Sequence, residues 1–261
     1  MDSGYGWGGI MIPATSTITT FQDDLSSVIK NISGLKTWFR SDEGVVETSG
    51  KVSGWNDRSG NAINLSQPND TFRPVYVTSG GINNLPYINC GIGPASTFLS
   101  FPDSSLSSMT SGEHFIIIQH NQVTTTNNGY GCIYNITAES TAIPTHIPFG
   151  GTVHDSFGAT KRIMNVATIS NVVCVQPLCY NSASANNLWF CYINGSLGSL
   201  TTTNNAGFST TNNAIAGVPG TPAGYLYGKL YEHILFSRIL TNIERSIINN
   251  YIHKRYRINF A

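Results

Sequence analysis

Apolar and polar positions in this chain alternate with the period of β-strands for most of its length, and helical spacing appears only in two places. Gly34-Leu35-Lys36-Thr37-Trp38-Phe39-Arg40 reads as the first core strand. Further strands are predicted near Val75, over Tyr87–Asn89 and over Phe98–Phe101. Glu113 to His120, with its run Phe115-Ile116-Ile117-Ile118, predicts a buried strand, followed by an Asn/Thr turn over Thr124–Gly129. Strands over Cys132–Ile136, Ile163–Thr168, Asn171–Gln176 and Leu188–Ile193 follow. Asn194-Gly195 is a hairpin signal, because both turn positions require a positive φ, and it joins the last of these to Leu197–Leu200. Ala214–Gly217 and Leu230–Phe236 complete the set.

Helical spacing of Leu25, Val28, Ile29 and Ile32 predicts a short helix over Leu25–Asn31, capped by Asp23 or Asp24. Near the end, Thr241-Asn242-Ile243-Glu244 is a capping box. Leu240, Ile243, Ile247, Tyr251 and Ile252 then form one apolar stripe, so a helix over about 241–256 packs on the strands. Residues 1–22 break the pattern. They are Gly-rich yet carry Tyr5, Trp7, Ile10 and Ile12, which a solvated linker would not hold. The expectation is an extended arm docking on another subunit, with an arm folded back on its own domain as the alternative. Residues 23–261 are expected to form one domain, a size that sandwiches reach.

Composition narrows the partners. Charged residues are 11% of the chain against a typical value of about 25%, so the polar surface comes from Asn, Thr, Ser and Gly. The formal net charge is zero and no basic patch stands out, which argues against nucleic acid. The longest basic cluster, Lys254-Arg255 with Arg257, reads as a solvated helix face. No apolar run is long enough to span a membrane, and the first residues do not read as a secretory signal. Cys90, Cys132, Cys174, Cys179 and Cys191 are odd in number and contain no Cys-x-x-Cys pair, so free and mostly buried thiols in a reducing cytosol are expected, without zinc. Asn-x-Ser/Thr sequons at Asn31, Asn64, Asn69, Asn135 and Asn194 are then expected to be bare.

Two distant segments carry a resemblance. The first is Val52-Ser53-Gly54-Trp55-Asn56-Asp57-Arg58-Ser59-Gly60-Asn61, followed by Arg73-Pro74-Val75-Tyr76-Val77; the second is Gly228-Lys229-Leu230-Tyr231-Glu232-His233-Ile234-Leu235-Phe236-Ser237-Arg238-Ile239-Leu240. Together they resemble the opening and closing passages of concanavalin A-like jelly-roll domains of the laminin-G-like group, as found in phage virion structural proteins. The resemblance runs from about Ile32 to Ile258. It implies an all-β, two-sheet antiparallel jelly-roll sandwich with an N-terminal extended arm and a C-terminal helix. It says little about activity, because this sandwich hosts lectins, glycosidases, adhesion modules and virion proteins.

Catalytic patterns are weak. A glycosidase needs two converging carboxylates, and the nearest echo, Glu43-Gly44-Val45-Val46-Glu47, lacks the central acid that related hydrolases carry. The six histidines are scattered, and His154-Asp155-Ser156 is no triad, since strand neighbours point to opposite faces. Asn56, Asp57, Ser59 and Asn61 loosely echo a calcium loop, yet one carboxylate is little charge for calcium, and the same residues favour turns. Trp55 is expected in the core. Glycan contacts are sought among Asn127, Asn128 and Tyr130, then Tyr180 with Asn181, and Tyr225 with Tyr227, although tyrosines also edge strands for structural reasons. The leading expectation is a non-enzymatic virion structural protein, decorating a capsid or forming part of a tail or fibre. It would be made in the host cytoplasm, assemble as an oligomer with other virion proteins through the arm, and present its sandwich to host-surface glycans without cofactor, nucleic acid or membrane insertion. The alternative is a carbohydrate-binding module or lectin of a cell-surface or secreted protein.

Overall fold

A computed structural model of the chain describes residues 25–91, 97–121, 132–135, 145–149, 152–158, 162–164, 176–201, 208, 211–219 and 225–261. In chain order its regular elements are α1 (25–30), β1 (Leu35–Arg40), β2 (Val45–Thr48), β3 (Lys51–Trp55), β4 (Leu65–Ser66), β5 (Val75–Val77), β6 (Tyr87–Cys90), β7 (Leu99–Ser100), β8 (Gly112–His120), β9 (Cys132–Asn135), β10 (Thr145–Phe149), β11 (Thr152–Asp155), β12 (Arg162–Met164), β13 (Leu178–Ala185), β14 (Leu188–Ile193), β15 (Ser196–Thr201), β16 (Ala214–Ile215), β17 (Gly228–Phe236) and α2 (Asn242–Tyr256).

The strand pairings among these elements are antiparallel and build two layers. In the back layer β17 is flanked by β8 along one edge and by β6 and then β1 along the other. Beyond β8 come β13, β14 and β15. The front layer runs β2, β3, β4, β7, β16, β9, β10, β11, β12. The short β5 pairs with β3 on one side and β6 on the other, so the layers are hydrogen-bonded to each other at that edge. The fold is an all-β sandwich with one C-terminal helix.

The apolar run in β8 has a physical reason. Ile116 and Ile118 point into the core between the layers, with Phe39, Trp55, Leu99, Trp189 and Leu235. Phe115 and Ile117 point the other way, into a second core under α2 with Trp38, Tyr231, Ile234, Phe236, Ile248, Tyr251 and Ile252. A strand buried on both faces reads as a continuous hydrophobic run rather than as alternation. At roughly 25 cal/mol per Å² of apolar surface removed from water, the two cores supply the main driving force for the fold. Strand β17 faces both cores too, and a register shift between Leu230 and Glu232 places Tyr231 and Glu232 toward the helix together. Glu232, fully buried, accepts hydrogen bonds from Trp38 Nε1 (2.5 Å), Tyr251 Oη (2.9 Å) and Tyr256 Oη (2.5 Å), and so ties α2 to the sheet.

The capping box of α2 forms as expected: the Thr241 hydroxyl accepts from Glu244 N, and the Glu244 carboxylate accepts from Thr241 N. The apolar stripe differs from the expectation. Ile243 is 76% exposed, and the buried face is made by Arg245, Ile248, Tyr251, Ile252, Arg255 and Tyr256. Arg255 is therefore no solvated cation: it lies 2.6 Å from Asp42 and 3.7 Å from Glu232. The signal misled because Glu232, buried on β17, and Asp42, in the turn after β1, accept an arginine that a periodicity argument assigns to water. Val45 to Thr48, which overlaps the Glu43–Glu47 run, is an edge strand closed by Ser49-Gly50, both with positive φ.

Asn194-Gly195 makes the expected hairpin turn, with φ of 49° and 80°. Cys90, Cys179 and Cys191 are buried and in no disulfide; burial pushes the Cys90 and Cys179 thiols up, away from the reactive thiolate. The arm residues Tyr5, Trp7, Ile10 and Ile12, the residues Asn127, Asn128 and Tyr130, the Thr124–Gly129 turn, and the strand predicted at Asn171–Gln176 except Gln176 lie outside the described residues.

Candidate functional site

The turn around Trp55 is an organiser rather than a ligand cup. Trp55 is fully buried in the core between the layers. Asp57 Oδ1 accepts from Trp38 N (2.9 Å) and Ser59 N (2.8 Å), and its Oδ2 from Ser59 Oγ (2.7 Å) and Ile63 N (3.2 Å). Four hydrogen bonds engage both oxygens of this carboxylate, which locks the loop onto β1. Among the described residues no cluster of three or more His, Cys, Asp or Glu is placed to hold a metal ion.

Among the described residues the acids named as catalytic candidates do not converge on an open cleft. Glu43 pairs with Arg58 at 2.8 Å, while Glu47 sits exposed on the edge strand β2. Asp155 is buried between the layers, where it accepts from Thr145 Oγ1 (2.9 Å), Phe157 N (3.0 Å), Ser182 Oγ (2.5 Å) and Trp189 Nε1 (2.6 Å). It crosslinks β10 and β11 in front to β13 and β14 behind. The buried histidines His114 and His233 face each other across β8 and β17, with Nδ1 and Nε2 3.2 Å apart. Of the tyrosines considered for glycans, Tyr180 is fully buried between the layers against His114. Its position is explained by its strand: β13 is internal to the sheet, not a rim loop. Tyr225 and Tyr227 are half-buried, and Tyr225 packs beside Gly91, where no side chain would fit.

Asn181 is different. It is the next residue on β13, so it faces the helix side of the sheet. There a pocket of about 170 Å³ opens between the sheet and α2. Its floor is Cys179 and Asn181, one wall is Tyr192 and Gly195, the other wall is α2, and Phe260 lies over it. The helical wall consists of Asn242, Arg245, Ser246 and Asn249, spaced i, i+3, i+4, i+7, which is one face of a helix. Phe260 is held in place because Ala261 N donates to Asn194 O (3.0 Å) and the Phe260 side chain rests on Gly195, where a Cβ would stand 3.1 Å from it.

Beneath the pocket lies a buried ion pair. Glu113 accepts Arg245 Nε (2.7 Å), Arg245 Nη2 (3.0 Å), Leu240 N (2.8 Å) and Asn181 Nδ2 (3.0 Å). Burial alone would lower the Arg245 pKa, but the hydrogen bonds and charge of Glu113 raise it above the ordinary value, so the guanidinium stays charged. The Arg245 guanidinium also lies 4.9 Å over the Phe190 ring and 5.6 Å over Tyr192. A second, shallower hollow of about 310 Å³ continues along α2 past Asn249, Asn250, His253 and Phe260.

Sequence reasoning picked out Asn181 but missed the helical wall. The signal was present: Asn242, Arg245, Ser246 and Asn249 form a polar stripe of helical period in the very segment read for its apolar stripe.

No family model matches the chain, and no curated protein matches its sequence. Solved structures do. The binding domain of Paraclostridial Mosquitocidal Protein 1 shares 14% identity at a TM-score of 0.56, over 85% of this chain and 52% of that one. Domain 4 of AbnA, a GH43 extracellular arabinanase from Geobacillus stearothermophilus, in complex with arabinotriose, shares 14% identity at a TM-score of 0.52, over 83% and 97%. Trypanosoma rangeli sialidase shares 10% identity at a TM-score of 0.53, over 94% and 40%. This chain therefore spans about half the toxin domain and less than half the sialidase, and at these identities the likeness is one of fold. Among the described residues no helix is long and apolar enough to cross a membrane.

Proposed function

We propose that this chain is a non-enzymatic recognition domain whose ligand is a glycan. The observation that carries the reading is the pocket between β13, β14 and α2: neutral amides and a hydroxyl from Asn181, Asn242, Ser246 and Asn249 converge there beside the rings of Tyr192 and Phe260. Such a mixture suits sugars, whose hydroxyls need hydrogen bonds and whose C–H faces rest on aromatic rings. Support for a non-catalytic role comes from the acids. Glu113, Glu232 and Asp155 are saturated by hydrogen bonds, and Glu43 and Glu47 are engaged or solvated apart from each other. That one similar structure holds arabinotriose, and another is a toxin binding domain, agrees with the reading. The test is a glycan array probed with the full chain, alongside a hydrolysis assay on the same glycans. Retention without hydrolysis is expected; turnover of any glycan would overturn the non-enzymatic part, and a blank array the recognition part.

A finer form of this reading places the domain on a virus particle, as a capsid decoration or a tail or fibre component that holds host glycans. Tyr5, Trp7, Ile10 and Ile12 favour it, as apolar anchors in a Gly-rich segment suited to docking on a neighbouring subunit. Density-gradient fractionation of the source material tests it. Co-sedimentation with large particles through a salt wash is expected, and loss of that co-sedimentation on deleting residues 1–22; a chain that stays at the top of the gradient would refute it.

A further inference from the structure

We infer that the ligand of the groove along α2 is an uncharged, hydroxyl-rich glycan segment, and that acidic sugars are rejected; this rests on the glycan-binding reading above and names the ligand class and the site. The argument starts from one orphan atom. Asn181 is 4% exposed and lines the pocket floor. Its Nδ2 donates to Glu113 Oε1 (3.0 Å) and to His114 O (2.9 Å), so two acceptors define which end of the amide is the nitrogen. The planar amide then turns Oδ1 away from both, and that oxygen has no hydrogen-bond partner. A buried acceptor left unsatisfied is costly, and native proteins rarely tolerate one without a role. What it lacks is a donor, and a sugar hydroxyl supplies one.

The helical wall offers complementary groups. Asn242 Oδ1 accepts from Arg245 Nη1 (2.9 Å), which leaves its two amide hydrogens free for a ligand. Arg245 commits Nε and Nη2 to Glu113, and Nη2 also to Leu240 O (3.1 Å), so about one Nη1 hydrogen remains. Its positive charge is already matched by Glu113 at 2.7 Å. A carboxylate or phosphate arriving in the pocket would meet a neutralised guanidinium with its bidentate fork turned away, together with the acceptor Asn181 Oδ1, which repels anions. Anion recognition requires an available fork or a net positive site. A neutral hydroxyl, which both donates and accepts, matches every group present.

The length of the groove points to more than one sugar unit. Asn242 to His253 covers about 16 Å of helix at 1.5 Å per residue. Phe260 lines both hollows, and is placed to serve as a ring platform between them. At the far end His253 Nδ1 lies 2.9 Å from Ile258 O, so it carries a proton there, which leaves Nε2 as the ring's remaining polar atom for a hydroxyl. The deeper pocket, at about 170 Å³, far exceeds the roughly 10–15 Å³ that a single water needs.

The experiment uses the full chain. Neutral gluco-, manno-, galacto- and arabino-oligosaccharides and sialylated counterparts are printed on one array, and hits are titrated by calorimetry. Three variants accompany the wild type: Ser246→Trp fills the pocket from an exposed position, Asn249→Ala removes a wall amide, and Phe260→Ala removes the platform. Thermal midpoints verify that each remains folded. The expected result is binding of at least one neutral oligosaccharide, weakened at least about tenfold by Ser246→Trp and Phe260→Ala, and insensitive to salt. Neutral-glycan binding that survives all three variants would overturn the site while leaving the glycan-binding reading intact. Binding that requires sialic acid and is abolished by Ser246→Trp would overturn the charge argument alone. A blank array would remove the glycan-binding reading, and this inference with it.

Discussion

Mild acid should destabilise this domain, and the histidines at its centre set by how much. His114, His120 and His233 are all buried. His114 stacks on Phe157 at 4.4 Å and His233 on Phe39 at 6.4 Å, and the two histidines share one hydrogen bond, which requires at least one neutral ring. Burial pushes His114 down to about 3 and His120 down to about 4, and burial together with the neighbouring His114 lowers His233 well below the ordinary value. The unfolded chain protonates these rings near pH 6.5. Between that value and the folded ones, the unfolded state binds protons that the fold refuses, so stability is full above about pH 6.5 and falls as pH drops. Each histidine costs about 1.4 kcal/mol per pH unit in that window, or about 2 kcal/mol between roughly pH 7 and pH 5. The three together would remove about 6 kcal/mol, against a usual total of roughly 5–15. Asp42 and Glu244, held down at about 2 by Arg40 and Arg238, keep their stabilisation throughout this window, so they do not confuse the reading. Urea unfolding at several pH values measures the slope. The double variant His114→Phe/His233→Phe should cut the loss to roughly 2 kcal/mol, the share of His120. A wild-type stability that is flat from about pH 7 to 5, or a double variant with the full slope, would refute the reasoning.

Three further outcomes are expected. Glu113→Gln leaves the Arg245 guanidinium buried without its counter-charge and should cost about 3–5 kcal/mol, a fall in thermal midpoint of roughly 6–20 °C by calorimetry; a change below about 1 kcal/mol would contradict the buried ion pair. Asp155→Ala strips the acceptor from Trp189 Nε1, Ser182 Oγ and Thr145 Oγ1 at once, and should cost at least about 3 kcal/mol in urea unfolding, because those donors stay buried. Thr241→Ala removes the α2 cap and should cost only about 1 kcal/mol by the same measurement, with no change in the cooperativity of unfolding.

Much of the architecture was legible because it rests on local chemistry. Asn194-Gly195 prefers φ > 0 at both positions in any context, and the structure has a hairpin turn there. The capping-box bonds of Thr241 and Glu244 run between residues three apart, so the box itself needed no distant partner. The strands β1, β8, β14 and β17 follow from runs of apolar and β-branched residues. The strands β10, β11 and β13 were not anticipated. β11 and β13 carry Asp155 and Ser182, polar residues that a pattern argument assigns to loops but that hydrogen-bond to each other across the strands.

For this protein the sequence by itself determined the all-β class, the hairpin and the terminal capped helix, because turn conformation, capping and strand periodicity depend on near neighbours. Only the tertiary structure decided which polar groups are satisfied and which are left over. Asp57 and Asn181 are equally plausible ligand residues on paper; the fold engages both oxygens of one with four hydrogen bonds and leaves the buried oxygen of the other, a residue lining a pocket, without a partner. The partners that make this difference come from β1, β8 and α2, up to 132 residues away along the chain for the Glu113–Arg245 pair beneath the pocket, and no spacing in the sequence encodes such a distance.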